Sequence, residues 1–407
     1  MKADVYEKWM FRILVALALT SNVSTGGTVT MIVLGLLLML VQAVWTRSLP
    51  AVDKGMAVAV LVYLGAWAAC CLGSREILFS LKALVGASYR FLPLFFALLY
   101  VRRKEQVRFI VLALAASIFI NDCAAVWQLL THPWGFHPHG RVHSATFLGS
   151  HMLMAVPAMF FFSRKMYFRP IERKLLLFMT LFSLAILVLT QTRGAWLAFA
   201  GVVAVYLLLE QRCRRQILAG ILAGIVCIGM GLLASPTYSQ RFSTIADPGA
   251  SVNVERVYMW TAAVEIWRDH PLLGVGLDEY GWYYNTAYIP AEAKEVPMVE
   301  GDPDTGHGHP HNNILKHLSE GGIVGILAFF FLHGYILRRL LQRYRIEHGR
   351  TAFSCALMGI LIFAGTHLEG LTDTNINQLS ILTEYCLLMG LSLAAGAIEE
   401  REKCDLG

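Results

Sequence analysis

Uncharged, apolar runs of about 20 residues recur along this whole chain, and that feature decides most of what it can fold into. A run of this length crosses the hydrocarbon core of a bilayer as one α-helix, the form that satisfies every backbone polar group within its own segment. Twelve such runs are centred on residues 11–24, 27–45, 55–72, 84–101, 107–130, 147–163, 174–191, 194–210, 216–234, 321–340, 352–371 and 378–397. Charged residues are only 15% of the 407, against roughly 25% in soluble domains. The run beginning near Phe11 reads as a retained span, because no small-residue cleavage site follows it. The expected fold is an all-α polytopic membrane protein with about twelve transmembrane helices. Residues 1–234 are expected to carry helices one to nine, 235–320 a large outer loop that itself contains helix, and 321–407 the last three helices and a tail.

The basic residues set the expected orientation. With the N-terminus in the cytoplasm, the inward-facing segments hold 24 of the 34 lysines and arginines, as the positive-inside rule requires. Both termini are then cytoplasmic and the 235–320 loop lies outside. The net charge of +6 reflects this topology and does not imply a nucleic-acid partner, since the basic residues sit in short juxtamembrane loops. None of the eight cysteines falls in an outer loop, so neither a disulfide framework nor a cysteine metal motif is expected.

A connection as long as 235–320 is usually functional or disordered, and Trp260, Trp267 and Trp282 argue against disorder. Residues 253–268 read as an amphipathic helix with Val257, Trp260, Val264 and Trp267 as its apolar stripe. Pro271 ends it, and Gly-Val-Gly at 274–276 allows a tight turn. A smaller outer loop, 131–146, carries His132, His137, His139, Arg141 and His143.

Three features on the outer side carry candidate chemistry. In Thr190-Gln191-Thr192-Arg193-Gly194-Ala195-Trp196, Arg193 sits between two apolar helices, where it either snorkels to the interface or meets an anion. Arg256 lies on the polar side of the loop helix, with Arg241 and Arg268 nearby. Two such guanidinium groups can clamp a phosphate or diphosphate through bidentate hydrogen bonds. The third is His307-Gly308-His309-Pro310-His311-Asn312-Asn313. Alternating histidines suit a metal site, a structural role, or a general base acting near neutral pH. Asn121, Asp122, His367, Glu369 and Asp373 are polar groups within apolar runs and are functional candidates without an assigned role. No helix shows Gly/Pro interruption at matching positions in two halves, as many transporters do.

TQTRGAW at 190–196, ERVYMW at 255–260, HPLLGVGLDEY at 270–280 and HPHNNILKHLSEGGIVG at 309–325 together resemble the O-antigen ligase and polymerase superfamily. The resemblance covers the second half of the chain by motif and the first half by hydropathy. It implies a GT-C-like, metal-independent, cofactor-free glycosyltransferase of the bacterial inner membrane with its active site facing the periplasm. The donor it implies is undecaprenyl-diphosphate-linked O-antigen, the acceptor is lipid A–core, and the new bond forms with inversion. By motif, Arg193 and Arg256 would hold the diphosphate and His311 would be the general base. Asn312 would orient that histidine or the sugar, and His309, Gln191 and Arg241 are supporting candidates, with His309 also an alternative base. The compact length and the HPHN loop favour a ligase. The alternatives are a polymerase of the same superfamily and, from another class, a transporter.

Overall fold

A computed structural model describes residues 2–48, 53–133, 136–212, 251–293, 308–347 and 353–404, with the isolated positions 50, 215, 243 and 351. The described residues form helices and no strand. In chain order they are α1 (Lys2–Thr20), α2 (Thr25–Thr46), α3 (Lys54–Cys70), α4 (Ile77–Ser88), α5 (Leu92–Tyr100), α6 (Lys104–Thr131) and α7 (Ala145–Ser163). There follow α8 (Pro170–Leu189), α9 (Arg193–Leu209), α10 (Ser251–Asp269), α11 (Tyr280–Tyr283), α12 (Asn313–Glu347), α13 (Cys355–Glu369) and α14 (Leu379–Cys404). Among the described residues, seven segments are long and apolar enough to cross a membrane: α2, α3 extended to Gly73, α4 with α5, α6, α7, α12, and α14 to Arg401. The shorter apolar helices are α9 and α13. The expected ninth run, 216–234, lies outside the described residues.

Helices α7, α13 and α14 are buried on nearly every face and form the centre of the bundle. Peripheral helices leave apolar side chains uncovered, among them Leu34 and Leu37 of α2, Leu61 of α3, and Phe178 and Leu181 of α8. Hydrophobic surface on both the inner and outer faces is what a lipid-bathed bundle requires. At one end of the bundle, ion pairs tie helix ends together: Arg108 with Glu172, Lys165 with Glu399 at 2.8 Å, and Arg343 with Glu400 at 2.5 Å. At the opposite end, α7, α9, α12 and α14 begin and α8 and α13 finish. Every candidate site residue among the described positions lies at that second end.

Two of the apolar helices are interrupted. The first opens into a 3-10 turn at Tyr89–Phe91, ahead of Pro93, whose ring denies the helix one hydrogen bond. The second is α12, whose Gly322 takes φ 58, ψ −155, a conformation that only glycine adopts readily. The segment after α10 closes this break. Ile323 and Val324 donate backbone N–H bonds to Pro271 and Leu272 at 2.9 and 3.1 Å, and Val275 and Gly276 donate to Ser319 and Glu320 at 3.1 and 2.9 Å. The freed backbone groups of the helix thus find partners in the Gly-Val-Gly turn. Beneath it, Lys316 Nζ donates to Glu320 Oε1 at 2.8 Å and to Asp278 Oδ1 at 2.9 Å.

A side chain at Gly322 would drive its Cβ into the Leu272 carbonyl. Gly322→Ala is therefore expected to cost about 1–3 kcal/mol in backbone strain alone, and more from the clash. The expected readout is a lowered thermal unfolding midpoint in detergent; a wild-type melt would contradict this account of the break.

The apolar stripe of α10 differs from the expected one. Met259, Ala262, Ala263 and Ile266 are buried, whereas Val257 is 53% exposed. The reason is tertiary: Val275, Tyr280 and Tyr284 fold back onto α10 and select the face they cover, and Leu315 of α12 packs against the same cluster. Tyr280 Oη fixes the register by donating to the Met259 carbonyl at 2.8 Å.

Candidate active site at the bundle end

The histidine run leads directly into α12. Asn312 caps this helix, its Oδ1 accepting from the backbone N–H groups of Ile314 and Leu315 at 2.9 and 3.1 Å. Its Nδ2 donates to the Leu371 carbonyl at 2.9 Å, so both ends of the side chain are engaged by backbone. A polar side chain that accepts from the first free N–H groups of a helix is a strong N-cap. Asn313 adds a second tie, its N–H to the Gly370 carbonyl at 2.7 Å and its Nδ2 to Asn375 Oδ1 at 2.7 Å. From α10, Trp260 Nε1 donates to the Pro310 carbonyl at 2.9 Å. The residue between these anchors, His311, has φ 48, in the left-handed region.

This geometry turns the His311 ring onto Asp373, with Nδ1 donating to Asp373 Oδ1 at 3.0 Å. Asp373 is buried, and its Oδ1 also accepts from the Thr374 N–H at 2.7 Å. Burial disfavours its charge, but the hydrogen bond and nearby charge of His311 outweigh that and hold the carboxyl below its usual range. A carboxylate on Nδ1 fixes the imidazole tautomer and leaves Nε2 as the proton-accepting nitrogen.

His309 packs edge-on against His311, ring centroids 4.3 Å apart. Its Nδ1 is buried with no hydrogen-bond partner among the described residues. Burial, and then the neighbouring His311, push its pKa down to about 3. The folded state therefore holds His309 neutral, while the unfolded chain takes up a proton below its ordinary value of about 6.5. The stabilisation is complete above that pH and is lost as the pH falls towards 3. The thermal midpoint of the wild-type chain in detergent should drop on acidification from about pH 7 to 5, and the drop should be smaller for His309→Gln. Parallel curves would contradict the burial of a neutral ring here.

The arginines flank the same turn. Arg256 is half-buried on α10, and burial lowers its pKa while the carboxylates of Asp373 and Glu369 counteract that loss. Arg193 opens α9 and is half-buried. The next residue, Gly194, lies so close to Thr372 that a Cβ there would collide with the Thr372 hydroxyl. The chain reversal that presents Arg193 is held from three sides. Thr192 Oγ1 donates to the Ala145 carbonyl at 3.2 Å, Trp196 Nε1 to the Leu187 carbonyl at 3.1 Å, and His137 Nδ1 to the Thr190 carbonyl at 3.3 Å. Gln191 sits in that reversal at φ 56, buried, with Oε1 lacking a partner among the described residues. His311 and Arg256 thus both meet the 370–375 turn, and the backbone at Gly194 brings the start of α9 against Thr372 of the same turn.

Other expectations divide. Arg241 and His307 lie outside the described residues. The 131–146 loop is fastened to the bundle: Gln128 Oε1 accepts from the N–H groups of His139 and Gly140 at 2.9 and 2.8 Å, and Asn121 Oδ1 accepts from Arg141 N at 2.7 Å. Asn121 and Asp122 are structural in this respect, Asp122 accepting from Ser183 Oγ at 2.6 Å. Glu369 accepts from Ser150 Oγ at 2.6 Å and Asn375 Nδ2 at 2.7 Å, which makes it the floor beneath Asp373. His367 points instead into an aromatic cluster with Phe363 and His333. Two buried ionic groups went unnoticed in the sequence. One is Lys316 with Asp278 and Glu320, and the other is His151 donating from Nδ1 to Glu384 Oε2 at 2.6 Å. The available signal for both was an ionisable residue inside an apolar run.

Among the described residues, His309, His311 and Asp373 can each turn one ligand atom to a common point, all within 4.8 Å of one another. Otherwise the constellation is a histidine–carboxylate pair with Arg256 near its carboxylate, a combination able to accept a proton and hold an anion. No curated protein matches the chain. Residues 178–330 match the family model described as O-Antigen ligase, a stretch that runs from α8 into α12 and holds Arg193, Arg256 and His311, so over that stretch the chain is similar to the O-antigen ligases.

Proposed function

We propose that this protein is an O-antigen ligase: an inverting, metal-independent glycosyltransferase with a GT-C-like arrangement of about twelve helices. It moves the glycan of undecaprenyl-diphosphate-linked O-antigen onto lipid A–core at the periplasmic face of the bacterial inner membrane. The observation that carries this reading is the 3.0 Å pairing of His311 with buried Asp373 beside Arg256, in a chain whose residues 178–330 match the O-antigen ligase family model. The basic helix ends gather at the opposite end of the bundle, which supports placing the site on the periplasmic side.

The chemistry follows from the geometry. An acceptor hydroxyl approaches His311 Nε2 and attacks the anomeric carbon from the face opposite the diphosphate. The new C–O bond forms as the bond to the diphosphate oxygen breaks, and the hydroxyl proton passes to Nε2. Asp373 stabilises the imidazolium that results. Undecaprenyl diphosphate leaves with the bonding electron pair, its growing charge met by Arg193 and Arg256. Ser150 and Asn375, through Glu369, keep the turn bearing Asp373 in place.

A deletion strain tests the assignment. Loss of the ligase should leave lipid A–core without the O-antigen ladder while lipid-linked polymer accumulates. A polymerase would instead leave core bearing single repeats, and an unchanged ladder would sink both readings.

A further inference from the structure

We propose that His309, His311 and Asp373 form a binding site for a transition-metal dication such as Zn2+, and that the bound ion inhibits glycosyl transfer. The three side chains offer one ligand atom each within 4.8 Å of one another. Two imidazoles and a carboxylate are ligands that suit Zn2+ and exclude Mg2+ and Ca2+, which prefer all-oxygen shells. An independent sign of a ligand is His309 Nδ1, a buried nitrogen with no hydrogen-bond partner among the described residues.

Tetrahedral zinc at 2.0–2.1 Å from nitrogen or oxygen needs ligand atoms about 3.3 Å apart. The rings already lie 4.3 Å apart centroid to centroid, so rotations of two loop histidines close most of the gap. Asp373 is fixed by its bond from Thr374 N and supplies the rigid third ligand. The facing charges are mixed: the Asp278 and Glu369 carboxyls lie on the favourable side, and Arg256 and Lys316 oppose a cation. The fourth coordination position is left to water, as in sites built on three protein ligands.

Inhibition follows because the ion takes the histidine and the carboxylate that would otherwise accept and stabilise the acceptor's proton. This consequence rests on the proposed role of His311, whereas binding itself does not. A site of this kind makes transfer sensitive to free zinc while the reaction itself needs no metal.

The test uses the full chain, freed of any purification tag, in detergent. Zn2+ is titrated calorimetrically, and Co2+ is followed by its visible absorption. One ion per chain is expected, with affinity reduced at least about tenfold in each of His309→Ala, His309→Gln and Asp373→Asn. Zinc should suppress transfer over the concentration range in which it binds, and excess chelator should restore it. Absence of stoichiometric binding, or binding unchanged in all three variants, overturns the site. Stoichiometric binding without inhibition overturns the inhibitory role. If the metal-free chain transfers no glycan and added zinc does not restore transfer, the enzymatic reading fails, and the binding titrations still decide the site; transfer restored by zinc overturns the inhibitory role.

Discussion

His311→Ala is expected to lower glycosyl transfer by about 10²–10⁴-fold, the usual worth of a general base, while the protein still inserts, folds and retains its lipid-linked donor. In the proposed reading the donor is held by arginines on other helices, so the loss should fall on kcat with little change in donor KM. Asp373→Asn should act through the same step. An amide in place of the carboxylate cannot stabilise the imidazolium, and it can turn its NH2 towards the ring and favour the wrong tautomer. The double variant should be little worse than His311→Ala alone, because residues that act as a unit are not additive. A merely structural Asp373 would give additive losses and a normal pH–rate profile. If His311→Ala retained wild-type turnover while His309→Ala lost it, the base would be His309.

The second large effect belongs to the arginines. Removing one group that stabilises a departing oxyanion typically costs about 10²–10³ in rate, and Arg256→Ala and Arg193→Ala are each expected to lose that much. Both variants should also weaken donor binding, which distinguishes them from His311→Ala. Arg256→Lys should recover only part of the loss, because an ammonium cannot bind two phosphate oxygens through a planar fork. Truncating Arg256 also leaves Asp373 and Glu369 without their nearby cation, so a parallel thermal melt separates lost catalysis from lost fold. Normal turnover in both alanine variants would remove the clamp from the account.

The membrane-spanning architecture was legible because it depends on composition summed over about 20 residues, and the bilayer leaves few alternatives to helix. Arg193, Arg256 and His311 could be picked out as candidates because each lies in a short local motif. The Asp373 that meets His311 could not, since that pairing joins residues distant in sequence. Asp373 is 62 residues from the histidine it orients, and on its own it was one polar group in an apolar run among several. The buried face of α10 was misread for a related reason. Local spacing offered Val257, Trp260, Val264 and Trp267, but Tyr280 and Tyr284 chose Met259, Ala262, Ala263 and Ile266. The break at Gly322 was equally hidden, because a glycine pair inside an apolar helix looks tolerable until the Gly-Val-Gly turn at 274–276 comes to rest against it. Asn312 had been expected to orient the histidine or the sugar. It is spent on capping α12 and fastening it to the 370–375 turn, which orients His311 only indirectly.

The most direct measurement is reconstitution of the purified chain in detergent with undecaprenyl-diphosphate-linked O-antigen, with and without lipid A–core, the products being resolved by gel. Glycan-bearing lipid A–core, formed by the wild-type chain and absent with His311→Ala, is the predicted result. Lengthened donor with unmodified core would make the protein a polymerase, and no new glycosidic bond under any condition would contradict the account as a whole.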